Sequence, residues 1–390
     1  MHKVDRQPRR SSLSEFLRAE ATSGLLLVVA AAVALVLANS PAGDWYDDLW
    51  HRTLTIGPVT ETLQHWINDG LMAVFFFVVG LEIKRELVTG ELRRPRAAAL
   101  PAVAALGGVL VPAFIYLAIA PAGPAQRGFG IPMATDIAFA VGVLALLGRR
   151  AAAGSKLFLL SIAIVDDILA IALIAIVYSG PLDWRWLAFA AGVLALTVAV
   201  RRRLSSPWWY VVPALAVWFA VFESGVHATI AGVALGLLTP ARPVRGRPVL
   251  QELEHRLHPV SALVVVPLFA LANAGVDLRG GALSAALSEP VTWAVVAGLV
   301  VGKTLGIAGT TFGARRLRLG VLPDGMPPAQ VWPVAALGGI GFTVALFIAD
   351  LAFTDRRVVD QAKVGILLAS VLAAGLGAAL LAVLSRSRSG

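Results

Sequence analysis

The sequence has no cysteine in 390 residues, and only 15% of them are charged. The first absence excludes a disulfide framework, a thiol nucleophile and a cysteine-bound metal. The second sets the chain apart from soluble domains, in which about 25% of residues are charged. Apolar residues fill the difference, at 58% of the chain, with a mean hydropathy of +0.78. That excess is too large for one soluble core, which excludes an ordinary soluble enzyme and a disordered chain. The charge that is present leans basic, with 33 Lys and Arg against 24 Asp and Glu and a net charge of +9. The arginines form short clusters between long apolar runs. That is the pattern of cytoplasmic loops in a membrane protein, not of a nucleic-acid surface.

A spanning helix takes roughly 20 apolar residues. Twelve runs fit or approach this: 23–40, 63–84, 98–120, 129–148, 157–179, 185–200, 208–222, 227–240, 259–275, 290–313, 328–350 and 359–384. The run at 208–222 is short, and polar residues in 223–230 blur its border with the next. Of the 33 basic residues, 25 fall on one side of the alternation, seven on the other, and Lys303 lies inside a run. The positive-inside rule then predicts an even number of spans with both termini cytoplasmic. The first run follows a basic segment, as a signal peptide would. No clear small-x-small cleavage site follows it, and eleven more runs do, so it reads as a span. The whole of 1–390 is expected to form one membrane domain. In the longest outer loop, residues 53–60 alternate around Gly57-Pro58, which fits a small β-hairpin or an irregular loop.

Ionisable residues at membrane depth are costly and mark ion or proton paths. Asp166 and Asp167 lie mid-run. Helical neighbours diverge by about 100°, so one carboxylate can face a cavity while the other faces a neighbouring helix. The alternative is a buried structural pair. Asp136 follows Thr135 and a Gly- and Pro-containing stretch, which predicts an interrupted helix; a Pro-kinked helix with a hydrogen-bonded Asp also fits. Lys303 is the one basic residue well inside a run and is expected to pair with an aspartate. Its helix carries Gly302-xxx-Gly306 and Gly309-xxx-Gly313, spacings that suit close packing.

A second interruption is predicted at Gly338-Gly339-Ile340-Gly341 in the eleventh run. Two broken spans in corresponding positions of two repeats point to a transporter site. Runs three to five and ten to twelve would be inverted repeats, each broken in its middle helix. Crossed breaks bring like dipole ends together, where Asp136 can offset the N-terminal ends and Lys303 the C-terminal ends. Near the inner surface lie Glu82, Arg85 and Glu86 at the end of the second run and, across the long inside loop, Glu254, His255 and His258. These groups form either a titratable funnel or a solvated ion-pair face. His227 reads as a polar contact at a helix end.

Together these residues resemble the NhaA family of sodium/proton antiporters, for which inverted repeats with broken helices are a known architecture. The matching segments are Trp66–Phe76, Val79–Leu87, Ala134–Ala140, Asp166-Asp167, Gly225–Thr229, Pro267–Val276, Gly302–Gly306 and Gly339–Thr343, in family order along nearly the whole chain. The resemblance implies an all-α polytopic membrane protein of twelve transmembrane helices. Helices 3–5 and 10–12 would be inverted repeats, with crossing broken helices 4 and 11 and a small extracellular β-hairpin. Asp166 and Asp167 resemble the family's central cation and proton site, with Thr135, Asp136, Gly338, Gly339 and Gly341 at the breaks and Lys303 paired with Asp166. Asp69 resembles a helix-two acid that supports the site. Glu82, Arg85, Glu86, Glu254, His255 and His258 resemble the cytoplasmic pH-sensing cluster, and His227 a histidine tied to the pH response. A lysine is expected near Gln251; its absence bears on the pH midpoint and not on the chemistry.

What this implies is a transporter and not an enzyme, without a cofactor. It would exchange sodium or lithium for protons across a bacterial-type inner membrane, as a homodimer joined through the 53–60 hairpin. The serious alternative is a sodium-coupled symporter of similar broken-helix fold. An intramembrane aspartyl protease needs its aspartates on facing helices, whereas here they are adjacent. A retinal-type pump has seven spans, not twelve.

Overall fold

The computed structural model describes residues 9–201 and 207–386. Parts of two predicted basic clusters, the N-terminal tail and 201–203, lie outside the described residues, as does Arg388. The described chain is helical apart from one hairpin and its connections. The helices are α1 (Arg9–Ala38), α2 (Leu63–Val88), α3 (Pro95–Ile119), α4a (Pro124–Met133), α4b (Ile137–Leu146), α5 (Ala153–Val177) and α6 (Trp184–Val200). After them come α7 (Val211–Glu223), α8 (Thr229–Leu238), α9 (Val249–Asn273), α10 (Pro290–Arg316), α11a (Pro328–Leu337), α11b (Phe342–Ala352) and α12 (Arg356–Arg386). Two short connecting helices lie at Gly43–His51 and Ala282–Ser288.

Among the described residues, six helices are long and apolar enough to cross a membrane, or up to nine if each bent pair counts as one span. The three bent pairs are α1 with Gly43–His51 (113°), α4a with α4b (43°) and α11a with α11b (46°). The stretches around α6, α7 and α8 are apolar but shorter, because turns at 201 and 224–228 cut them off. Each predicted apolar run falls on one of these helices or bent pairs. Many outward side chains are apolar, such as Leu146 at 82% exposure and Ile176 at 80%. A soluble surface does not carry apolar faces of this extent.

The predicted hairpin is present. Strands β1 (Thr53–Ile56) and β2 (Val59–Thr62) pair antiparallel with Ile56 opposite Val59. Gly57 takes φ +61°, the sign that a tight two-residue hairpin turn assigns to glycine. Trp66 Nε1 donates to Leu54 O at 2.9 Å and ties the hairpin to the start of α2.

Close approaches set the helix packing. A Cβ at Gly80 of α2 would sit 2.8 Å from Val233 O of α8, and one at Gly302 of α10 would sit 2.7 Å from Pro112 Cα of α3. Gly306 rests on Gly107 in the same seam. Gly309 and Gly313 do not pack as expected: a Cβ on either would meet nothing within 4 Å. They fall on the exposed side of α10, the side turned away from α3, which still meets this helix at Thr310. Helices α2, α9 and α10 each carry one widened turn, at Trp66–Leu71, Ser261–Val265 and Ala297–Gly302. Such turns recur near functional sites.

Candidate functional site

The two breaks meet. Residues 134–136 leave the helix in extended conformation, and Asp136 N donates to Ile340 O at 2.7 Å. Thr135 Oγ1 lies 2.7 Å from Asp166 Oδ2 and 2.8 Å from Gly338 O. A hydroxyl has one proton to give, so those two acceptors share it. Peptide groups freed by one break are thus bonded by the other, as a polar backbone inside a membrane requires. The glycines permit the crossing. A Cβ at Gly339 would run into the carbonyl of Leu299, and one at Gly341 would sit 2.8 Å from Leu299 Cδ2.

Asp136 joins two helix starts. Its Oδ1 accepts from Phe139 N at 2.9 Å and caps α4b. Its Oδ2 accepts from Thr343 N at 3.1 Å and Thr343 Oγ1 at 2.6 Å, in the first turn of α11b. One carboxylate therefore faces the positive ends of two helix dipoles. Asp136 is 2% exposed.

Asp166 and Asp167 sit in the unbroken helix α5 and point different ways. Asp166 is fully buried, and Lys303 Nζ of α10, also fully buried, donates to its Oδ2. Asp166 Oδ1 is buried with no hydrogen-bond partner among the described residues. Asp167 instead lines a narrow cavity of about 80 Å³ together with Thr135, Asp136 and Thr343. The same cavity reaches Glu82, Arg85 and His258.

At that mouth, Arg85 Nη1 donates to Glu254 Oε1 at 2.6 Å and Nη2 to Glu86 Oε1 at 3.3 Å, while His258 Nε2 lies 3.8 Å from Glu82 Oε1. The structure thus brings five of the predicted pH-sensing residues together. His255 is exposed on α9, as is Gln251. His227 stands apart, before α8, where its Nε2 lies 2.8 Å from Tyr178 O, a helix-end contact. Asp69 does not line the cavity; it lies 3.3 Å from His65 Nε2 within the widened turn of α2.

Sequence reasoning missed what closes the far end. Phe76, Phe269 and Phe347 are buried, with ring centroids 5.6 Å (Phe76–Phe347) and 6.3 Å (Phe269–Phe347) apart. Beyond them Asn273 Nδ2 donates to Asn68 Oδ1 at 2.8 Å, and Asn68 Nδ2 lies 3.3 Å from Asp350 Oδ2. Lys363 Nζ pairs with Asp350 Oδ1 at 3.0 Å. Three helices repeat the same order along one face: α9 runs Ala262, Val266, Phe269, Asn273, and α11b runs Thr343, Phe347, Asp350. On α2 the order is Val79, Phe76, Asn68. A polar residue two helical turns past a cavity-facing one, as from Val266 to Asn273 and from Thr343 to Asp350, was the available signal; on α2 the widened turn at Trp66–Leu71 lies in between.

Known proteins are similar to this chain along most of its length. The family model described as Na+/H+ antiporter 1 matches residues 14–381. The Na(+)/H(+) antiporter NhaA 1 of Erythrobacter litoralis is 47% identical over 367 residues, which cover 93% of this chain and 90% of that protein. The NhaA antiporter of Nocardia farcinica is 48% identical, covering 95% and 91%, and that of Acidovorax sp. is 49% identical, covering 94% and 91%. A match of this length means that the chain belongs to the NhaA family of Na+/H+ antiporters, which are transporters and not enzymes.

Proposed function

We propose that this protein exports sodium, or lithium, in exchange for protons moving inward, with both competing for Asp166 and Asp167. The observation that carries this reading is the placement of the two carboxylates. They are adjacent in an unbroken helix, one with a buried oxygen lacking a partner, the other on the cavity wall. The names of the relatives support the exchange chemistry.

When ionised, the pair offers carboxylate oxygens to a cation, with the Thr135 hydroxyl and break carbonyls alongside. Protonated, the same oxygens lose the charge that holds the cation. Thr135 follows the change. Toward an ionised Asp166 its proton can point to the carboxylate; when Asp166 itself donates, the proton turns to Gly338 O. Cation and protons exclude each other, and exclusion at one site couples their fluxes. Asp136 fixes the helix starts without touching the ion.

In this reading the chain is one domain of twelve spans, the short helices included. Spans three to five and ten to twelve are inverted repeats, and both termini lie in the cytoplasm of a cell bounded by an inner membrane. The cavity then opens inward, and release outside requires the phenylalanine layer and the Asn68–Asn273 and Asp350–Lys363 contacts to part. Two protons entering per sodium leaving carry one net charge inward, so the membrane potential contributes about 2.3 kcal/mol per 100 mV. The ion pairs at the mouth adjust entry with pH, with His255 and His227 acting from farther away and Asp69 supporting the outer half of α2. The hairpin, with Leu54 and Ile56 exposed, joins two copies into a dimer.

The test uses everted membrane vesicles with an acid interior and a pH-sensitive dye. Sodium or lithium should release protons, and Asp166→Asn and Asp167→Asn should each abolish the release. Sodium-dependent proton movement surviving both substitutions would overturn the reading. Sodium uptake with no proton counterflow would move it to a symporter.

A further inference from the structure

A second cavity of the described molecule lies apart from the one at the aspartates. It measures about 680 Å³ and lies between the end of α10 and the start of α3, lined by Arg96, Arg315, Arg316 and Arg318 over an apolar floor that includes Phe312 and Leu322. Among the described residues, none of these four arginines is in an ion pair. Four like charges around one concavity repel each other unless an anion joins them.

Two details argue against a merely solvated basic loop. Arginines in the last turn of α10 suit its negative end, but Arg96 stands in the first turn of α3, where a helix dipole disfavours a cation. Arg318 has φ +57°, one of two non-glycine residues with positive φ among those described. It lies just past the end of α10, where Arg318 N donates to Arg315 O and Leu319 N to Ala314 O. A helix stop of this kind ordinarily takes glycine. The chain accepts a strained backbone there and gains a fourth guanidinium in the cavity.

The surroundings indicate what anion fits. Helices α3 and α10 are both long and apolar enough to cross a membrane, so their paired ends lie at the edge of the hydrocarbon. Leu319 and Val321 on the cavity lining are 51% and 77% exposed, and Leu317 next to Arg316 and Arg318 is 71% exposed. A guanidinium fork binds phosphate oxygens bidentately, and basic pockets between membrane helices hold lipid headgroups. We propose that this cavity is a binding site for the headgroup of an anionic phospholipid, with the arginines on the phosphate and the exposed leucines and valine along the acyl chains. The proposal rests on the chain's crossing a membrane and not on what it transports.

The experiment is thermal unfolding of the purified full chain in nonionic detergent. The additions are phosphatidylglycerol, phosphatidylcholine, or inorganic phosphate at matched ionic strength. Phosphatidylglycerol should raise the midpoint by several degrees, and the other two should not. Arg315→Gln/Arg316→Gln should lose most of that rise. Arg318→Gly is the sharper variant. Without lipid it should unfold no lower than the parent, because glycine relieves the positive φ, yet it too should lose most of the lipid-dependent rise. Arg242→Gln/Arg245→Gln, on a different inside loop, should keep the rise. The proposal is overturned if the rise is undiminished in Arg318→Gly, if inorganic phosphate alone reproduces it, or if the Arg242/Arg245 variant loses as much. Because the readout is binding and not flux, its failure is separate from a failure of antiport.

Discussion

Asp166 and Lys303 occupy a place that neither could hold alone, since both are fully out of contact with solvent. Removing one partner of a buried ion pair costs about 3–5 kcal/mol, because the survivor is left charged without compensation; removing both is often nearly neutral. Lys303→Met should therefore lower the thermal midpoint steeply, while Asp166→Asn/Lys303→Gln should regain most of the loss and still not transport. Equal destabilisation in the two variants would show that the charges do not depend on each other. The pairing itself was readable from the sequence, because Lys303 is the one cation well inside an apolar run and carboxylates are few. The partner of Asp136 was not. That it would sit at two helix starts followed from the broken pattern, but nothing in the sequence singled out Thr343 as its donor across 207 positions.

At the scale of elements, the crossing of the two breaks depends on glycines of unequal importance. An added methyl at Gly338 meets Ile307 Cδ1, the movable tip of a side chain, whereas at Gly339 it meets the backbone carbonyl of Leu299. Overpacking costs about 1–3 kcal/mol where the neighbour cannot yield. Gly339→Ala should lower stability by that amount and Gly338→Ala by clearly less, measured as unfolding midpoints of the two purified variants; the reverse order would contradict the crossing geometry. Breaks and hairpin were legible because glycine and proline act locally, within three or four residues of where they stand. The Gly309-xxx-Gly313 spacing misled for the complementary reason. A small-residue stripe announces that a helix can be approached, but which face of α10 is turned to α3 is something no local pattern records.

For the whole molecule, the proposed inward opening at Glu82 and closure at Asp350 make a directional claim. The chain has no cysteine, so a single introduced thiol reports on one place. Val344→Cys, on the cavity wall, should react with a membrane-impermeant thiol reagent from the cytoplasmic face and resist it from outside. Adding Phe347→Ala and Asp350→Asn should raise outside labelling severalfold. Labelling from outside in the single variant would place the opening on the wrong side. The closure itself escaped sequence reasoning. Nothing in the sequence singled out Asp350 or Lys363. Their contact is made between two helices, and the amide pair behind it joins residues 205 positions apart. Periodicity shows which face of a helix is apolar, but a single sequence does not say which faces meet.

The cavity beside Asp167 has one more consequence. Its volume of about 80 Å³ admits a handful of water molecules, at about 10–15 Å³ each. In the proposed exchange, an ion entering it would leave most of its hydration behind at the mouth and recover it at the other face. Water would then be a reactant of that cycle, and solutes that draw water out of narrow spaces should slow turnover.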